Sequence, residues 1–107
     1  RRINKSKISI MNRFELIRQW ANAKGIYAKG DPKTQTLKLV EESGELAKAI
    51  LNDDQDEIVD AIGDCVVVLT SIAHMRGITI EQCIDEAYNV ILKRKGKMIN
   101  GTFVKNK

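Results

Sequence analysis

The stretch DPKTQTLKLVEESGELAKAILNDDQDEIVDAIGDCVVVLTSIAHM, residues 31–75, decides the fold. Asp31 is placed to cap a helix, and Pro32 suits its first turn, where a missing N–H costs nothing. From there Leu37, Val40, Gly44, Ala47 and Leu51 recur at helical spacing and form the expected core stripe. The polar run Asn52, Asp53, Asp54, Gln55 and Asp56 allows only a tight connection, so the next helix turns back antiparallel. That helix, from about Asp56 to Met75, carries Ile58, Ala61, Ile62 and Cys65 at helical spacing and is almost wholly apolar after Asp64. Its β-branched run, Val66 to Val68, would also suit a strand, but continuity with the preceding spacing favours a helix. A helix apolar on nearly every side is either central to its own chain or covered by a second subunit.

Outward from this helical hairpin, the periodicity predicts one helix before it and one after. Asn12 with Glu15 has capping-box character, and Phe14, Ile17, Trp20 and Ala21 follow at helical spacing until Gly25. Ile26 to Gly30 reads as a loop. Gly77 ends the apolar helix. Thr79 with Gln82 forms another capping box, and Ile80, Ile84, Ala87, Tyr88 and Ile91 mark the expected buried face of the last helix. Beyond Gly96, Asn100-Gly101 lies between Met98-Ile99 and Phe103-Val104, a strong signal for a two-residue β-hairpin turn. The expected fold is all-α: a four-helix bundle built on an antiparallel helical hairpin, with a short C-terminal β-hairpin. It forms one domain over residues 11–107, preceded by a flexible basic segment over residues 1–10 and a candidate start at Met11.

The chain is large enough for one domain with a modest core, which makes self-association an expectation. Its net charge of +4 is unevenly placed. Arg1, Arg2, Lys5 and Lys7 lie at one end, and Lys93, Arg94, Lys95, Lys97, Lys105 and Lys107 at the other. Between them 8 basic residues face 14 acidic ones, a net of −6, so the body is acidic and binding of nucleic acid over the whole surface is disfavoured. No run approaches the roughly 20 consecutive apolar residues of a membrane span, and no signal peptide is recognisable. The expectation is a cytoplasmic protein with no membrane partner. Cys65 and Cys83 lack metal-ligand spacing and read as small buried hydrophobes.

Acidic side chains recur on both arms of the hairpin. Glu45 lies three residues from Glu42 and four from Glu41, while Glu57, Asp60 and Asp64 follow the same rule on the second arm. With Asp53 at the turn centre, Glu45 stands eight residues before it and Asp60 seven after, about 12 and 10.5 Å along the two axes. Glu42 and Asp64 are each eleven residues from the same point. Register therefore places two carboxylate pairs level. Because Asp60 and Asp64 interrupt an apolar segment, the acids are expected near a packed interface, where they must be protonated, paired or metal-bound. Lys38 and Lys48 are too few to neutralise them. A hard divalent cation with oxygen ligands, Mg²⁺ with Mn²⁺ as a substitute, answers that need.

These residues are where the chain resembles the MazG-like members of the all-α NTP pyrophosphohydrolase superfamily. Leu39-Val40-Glu41-Glu42-Ser43-Gly44-Glu45-Leu46 is similar to the family's EExxE helix, including a glycine that suits close helix packing. Gly63-Asp64-Cys65-Val66-Val67-Val68-Leu69 resembles the end of its ExxD motif. Three residues before Asp64 the chain has Ala61 where the family has glutamate, so Asp60 or the pair Glu57 and Asp60 stands in. The resemblance implies hydrolysis of a nucleoside triphosphate between its α and β phosphates, with Glu41, Glu42 and Glu45 catalytic. It also implies Glu42, Glu45, Asp60, Asp64 and Glu57 as metal ligands, and a triphosphate edge formed by Asn89, Lys93 and Arg94 with Lys38 nearby. Trp20 and Tyr27 are candidates to stack on the base, and the single histidine, His74, reads as a helix-terminal residue. Two other readings are open. One is a specialised dCTP, dUTP or phosphoribosyl-ATP pyrophosphohydrolase, and the other a non-catalytic helical module holding a structural cation. A homodimer or homotetramer is expected because the apolar third helix exceeds what its neighbours can cover.

Overall fold

A computed structural model describes residues 13–106. Among them the order is α1 (Arg13–Ala23), α2 (Ile26–Lys29), α3 (Pro32–Leu51), α4 (Gln55–Met75), α5 (Ile80–Leu92), β1 (Gly96–Ile99) and β2 (Thr102–Lys105). The expected all-α fold with a C-terminal β-hairpin is what the chain adopts. The stretch from Ile26, read as a loop, instead contains the one-turn helix α2, entered through Gly25 at φ 82°. The cap expected at Asn12, the start at Met11 and the basic segment 1–10 lie outside the described residues.

Local chemistry sets the helix ends as the sequence indicated. Asp31 accepts from the Thr34 backbone N–H at 2.8 Å, with Pro32 in the first turn. Asp53, at φ 52°, turns the chain, and Asp54 caps α4 by accepting from the Glu57 N–H at 3.2 Å. Thr79 and Gln82 form the reciprocal capping box of α5. Asn100 and Gly101, at φ 49° and 84°, form the two-residue turn of the hairpin, in which Met98 faces Phe103 and Gly96 faces Lys105.

The helical hairpin α3–α4 is the packed part of the molecule, and α1 lies across α4. Ala61, Val68, Thr70, Ser71 and Ala73 of α4 are buried, with Ala21 of α1 and Ala49 of α3. The Thr70 hydroxyl donates to the Val66 carbonyl at 2.7 Å, which satisfies a polar group at the centre. So α4 is central to its own chain, one of the two places the sequence leaves open for such a helix. By length and composition alone α4 is also apolar enough to cross a membrane, although Asp60 and Asp64 interrupt it.

The expected core stripe of α3 is reversed. Leu37 is 71% exposed, Val40 67% and Leu51 86%, with Gly44 and Ala47 also on the outside. The face turned to α4 carries Gln35, Leu39, Glu42, Leu46 and Ala49. Both faces are apolar at helical spacing, and periodicity alone does not say which one meets the chain's own neighbour. A Cβ added at Gly44 would meet nothing within 4 Å, so this glycine does not serve close packing inside the chain.

The last third differs from the hairpin. None of the 13 residues of α5 is buried, which overturns the expected buried face at Ile80, Ile84, Ala87, Tyr88 and Ile91. The helix is held at its start: Arg18 of α1 donates two hydrogen bonds to the Glu81 carboxylate at 2.7 and 2.8 Å. Beyond that clamp it touches α4 only sparsely, and both faces of the β-hairpin are exposed. Cys83 is exposed rather than buried, and Cys65 is half-buried.

Candidate active site

The α3–α4 pairing brings together Glu42, Glu45 and Asp64. Glu42 is the centre. It sits on the inward face of α3 and is only 5% exposed, an unusual place for a carboxylate. One oxygen lies 3.2 Å from the Lys38 ammonium, and the other, Oε2, is buried without a hydrogen-bond partner. Asp64 comes to Glu42 from the facing helix, as the register argument required. Its carboxyl is pushed above the ordinary range by burial, then by the charges of Glu42 and Asp60. The Glu45 carboxyl is also pushed up, chiefly by the charge of Glu42 one turn away.

Glu42 raises the proton affinity of both Glu45 and Asp64, which describes a site short of positive charge. Among the described residues Lys38 is the only cation in an ion pair there. It spans Glu41 at 2.9 Å and Glu42 at 3.2 Å, and its own pKa rises in consequence. This ties up Lys38 and Glu41, which the sequence offered as a substrate contact and a catalytic acid. A divalent cation beside Glu42 Oε2 would satisfy the orphaned oxygen and relieve the repulsion. Among the described residues, however, no three His, Cys, Asp or Glu side chains converge closely enough to hold one ion as they stand. The donor chemistry fits a hard cation, and the side chains would have to close around it.

The remaining expected ligands divide. Asp60 acts on Asp64, one turn along α4. Glu57 instead shares with Glu45 an open cleft of about 420 Å³, lined also by Lys48, Ala49, Asn52 and Asp54 at the turn end of the hairpin. On the other side of Asp64 lies a second cleft, about 410 Å³, lined by Arg13, Leu16, Ile17, Trp20 and Val67. Trp20 is 48% exposed there, so its ring is free to stack. Leu16 and Arg13, which the sequence reading missed, complete that cleft. Neither stands out in a periodic pattern, and only the crossing of α1 over α4 brings them to Asp64.

Tyr27 is not at this site. Its ring stacks on His74 with centroids 4.1 Å apart, and its hydroxyl is buried without a partner. Asn89, Lys93 and Arg94 are exposed on and just beyond α5. Lys93 and Arg94 line a cleft with Val90, Lys95, Lys105 and Asn106, which no residue of the carboxylate cluster joins.

The family with the description MazG nucleotide pyrophosphohydrolase domain matches residues 31–99. A protein of Haemophilus phage HP1, described as an uncharacterized 18.2 kDa protein in the rep-hol intergenic region, is 40% identical over 57 residues. That match covers 53% of this chain and 35% of the phage protein, so it takes in about a third of the relative's length. No solved structure matches. The matched span contains the whole helical hairpin with Glu42, Glu45 and Asp64, and on that basis the chain belongs to the MazG nucleotide pyrophosphohydrolase domain family.

Proposed function

We propose that the chain is a Mg²⁺-dependent pyrophosphohydrolase that cleaves nucleoside triphosphates between the α and β phosphates, releasing the monophosphate and pyrophosphate. The observation that carries this reading is Glu42, a buried carboxylate with an orphaned oxygen, set between two acids whose proton affinity it raises. Glu42, Glu45 and Asp64 would hold the cation, with Asp60 beside Asp64 and Glu57 in the cleft of Glu45. When bound, the cation supplies charge neutralisation for the phosphates and acidifies a water. Glu45, exposed and with raised proton affinity, is suited to accept the proton of an attacking water. Glu41 and Lys38 position Glu42 through their shared ion pair. Trp20 offers a flat apolar surface to the base beside Asp64.

The test is a panel of ribo- and deoxyribonucleoside triphosphates with Mg²⁺ and with Mn²⁺, scored for pyrophosphate against orthophosphate. Pyrophosphate and monophosphate in equal amounts are expected. Orthophosphate alone, or no release from any triphosphate, would defeat the proposal and leave a non-catalytic cation-binding module.

A homo-oligomer, at least a dimer, belongs to the same proposal. The outward stripe of α3 and the uncovered apolar residues of α5 are the surfaces a second copy would cover. Light scattering at micromolar concentration is expected to give twice the 12.0 kDa chain mass or more.

A further inference from the structure

The two arginines of α1 differ in what they meet. Arg18 serves structure: its guanidinium is bound by Glu15 and Glu81, and its side chain is only 13% exposed. Arg13 is exposed and has no ion pair among the described residues, and no acid precedes Glu15 in the chain. Spacing sets its surroundings. Arg13, Leu16, Ile17 and Trp20 lie three and four residues apart on one face of α1, and the crossing of α1 over α4 brings that face to Asp64 and Val67. Arg18 lies instead with Glu15, Gln19 and Asn22 along a separate cleft.

The two clefts beside the carboxylates are unlike. The one at the turn end of the hairpin sets Lys48 among Glu45, Asp54 and Glu57, with no aromatic or large apolar side chain. A base finds nothing flat to stack on there, and a phosphate meets three negative charges for one positive. The cleft at Trp20 has one acid, Asp64, and one cation, Arg13, between walls of Leu16, Ile17, Val67 and the indole. Arg13 and Asp64 line it together and do not pair. A guanidinium and a carboxylate held apart across a cleft leave room for a group that meets both, an anionic oxygen for the one and a metal ion for the other. A metal-bound phosphate is such a group, and the apolar walls strengthen its contact with the guanidinium. Trp20 lies seven residues from Arg13, about 10.5 Å along α1, which separates a phosphate contact from a stacking surface within one cleft.

We infer that Arg13 and Trp20 clamp the nucleoside monophosphate half of the substrate within a single chain, the guanidinium on the α-phosphate and the indole against the base. This rests on the proposed triphosphate activity for the identity of the ligand and on the make-up of the cleft for the roles. The planar fork of Arg13 meets two phosphate oxygens at once, which a lysine in its place does not. The aliphatic and aromatic walls offer a base no hydrogen-bonding edge, so the contribution of Arg13 is the same whichever base is attached.

Trp20 is the chain's only tryptophan, so its fluorescence reports on this cleft alone. Titration of AMP, GMP, CMP and UMP into the whole chain with Mg²⁺ should change that signal in the wild type. Arg13→Ala should weaken all four by about tenfold or more, the scale of a lost hydrogen bond to a charged group, and Arg13→Lys should recover part of the loss. Lys48→Ala, in the other cleft, should leave monophosphate binding unchanged. Arg13 and Lys48 are exposed, so the variants are expected to fold, which thermal melts check. No response to any monophosphate in the wild type, wild-type affinity in Arg13→Ala, or an equal loss in Lys48→Ala overturns the clamp. So does a loss confined to some of the bases, which would put the guanidinium on a base edge instead of the phosphate. Turnover separates the clamp from the activity. Pyrophosphate release by a protein whose Arg13→Ala variant binds monophosphates normally upholds the activity and removes the clamp. Arg13-dependent binding in a protein that releases no pyrophosphate upholds the clamp and defeats the activity.

Discussion

The α3–α4 hairpin and the α5–β arm are of similar apolar character, yet one is packed and the other is bare. In the hairpin, α4 buries five residues and draws Glu42 out of water with them. In the arm, an amphipathic helix and a β-hairpin bury nothing. The difference lies in what each region was given to pack against. A tight turn at Asp53 forces α3 and α4 together, while α5 is clamped at its first turn by Arg18 and Glu81 and touches α4 sparsely. Apolar periodicity specifies that a face will be covered, and connectivity decides whether its own chain can cover it.

The largest effect expected is at the hairpin's acids. Glu42→Gln, Glu45→Gln and Asp64→Asn should each lower pyrophosphate release by about 100-fold or more, since even the partners that orient a metal's ligands are worth about 10- to 100-fold. In metal-free protein Asp64→Asn and Glu45→Gln should melt no lower than wild type, and higher if repulsion dominates, because each removes a charge that its neighbours disfavour. Wild-type turnover in all three, with the wild-type Mg²⁺-induced rise in Tm, would refute the site. The packing contrast is sharpened next. Val68→Ala should cost about 2 kcal/mol at any protein concentration, since it opens a cavity inside one chain. Ile91→Ala should lower Tm only where association contributes, so its effect should change with concentration. Equal, concentration-independent losses at both positions would mean that the arm packs within its own chain.

Alanine at Lys93 and Arg94 together is expected to raise KM about tenfold with a smaller change in kcat, as for a lost charge-assisted phosphate contact. The effect should shrink with added salt. The smallest effect concerns the clamp. Arg18 holds the Glu81 carboxyl below its ordinary range, so the folded state binds that proton less readily than the unfolded chain. The stability this gives is complete above the ordinary carboxylate range and is lost as pH falls through the lowered value. Glu81 is 44% exposed, so screening keeps the contribution to a fraction of about 1 kcal/mol. Melting curves of Glu81→Gln across the acid range should lack that part of the wild-type decline.

Much of this was legible in residues 31–75. The cap at Asp31, the turn at Asp53 and the level placing of Glu42 and Asp64 all follow from spacing, because each depends on residues close in sequence. What spacing did not give was choice between equivalent faces. Leu37, Val40 and Leu51 satisfy helical periodicity as well as Leu39, Leu46 and Ala49 do, yet only the second set meets α4. Nor did it give contacts that arise where helices cross. Arg13 and Leu16 reach Asp64, and Tyr27 reaches His74, through the placing of α1 and α2 against α4. Asp60 and Glu57 were grouped with the other acids by three-and-four spacing, whereas in the structure Asp60 acts on Asp64 and Glu57 shares a cleft with Glu45.

The two-stranded sheet of the arm has another consequence. In a sheet of two strands, both are edges, and each carries a row of backbone donors and acceptors open to any other extended chain. Met98, Ile99, Phe103 and Val104 add exposed apolar surface to those edges. Lys97 and Lys105 stand within the strands themselves, and Lys95 just before them, so strands from two molecules meet like charge before they can pair. The positive charge there therefore sets like against like wherever two such edges approach, a feature that disfavours edge-to-edge pairing.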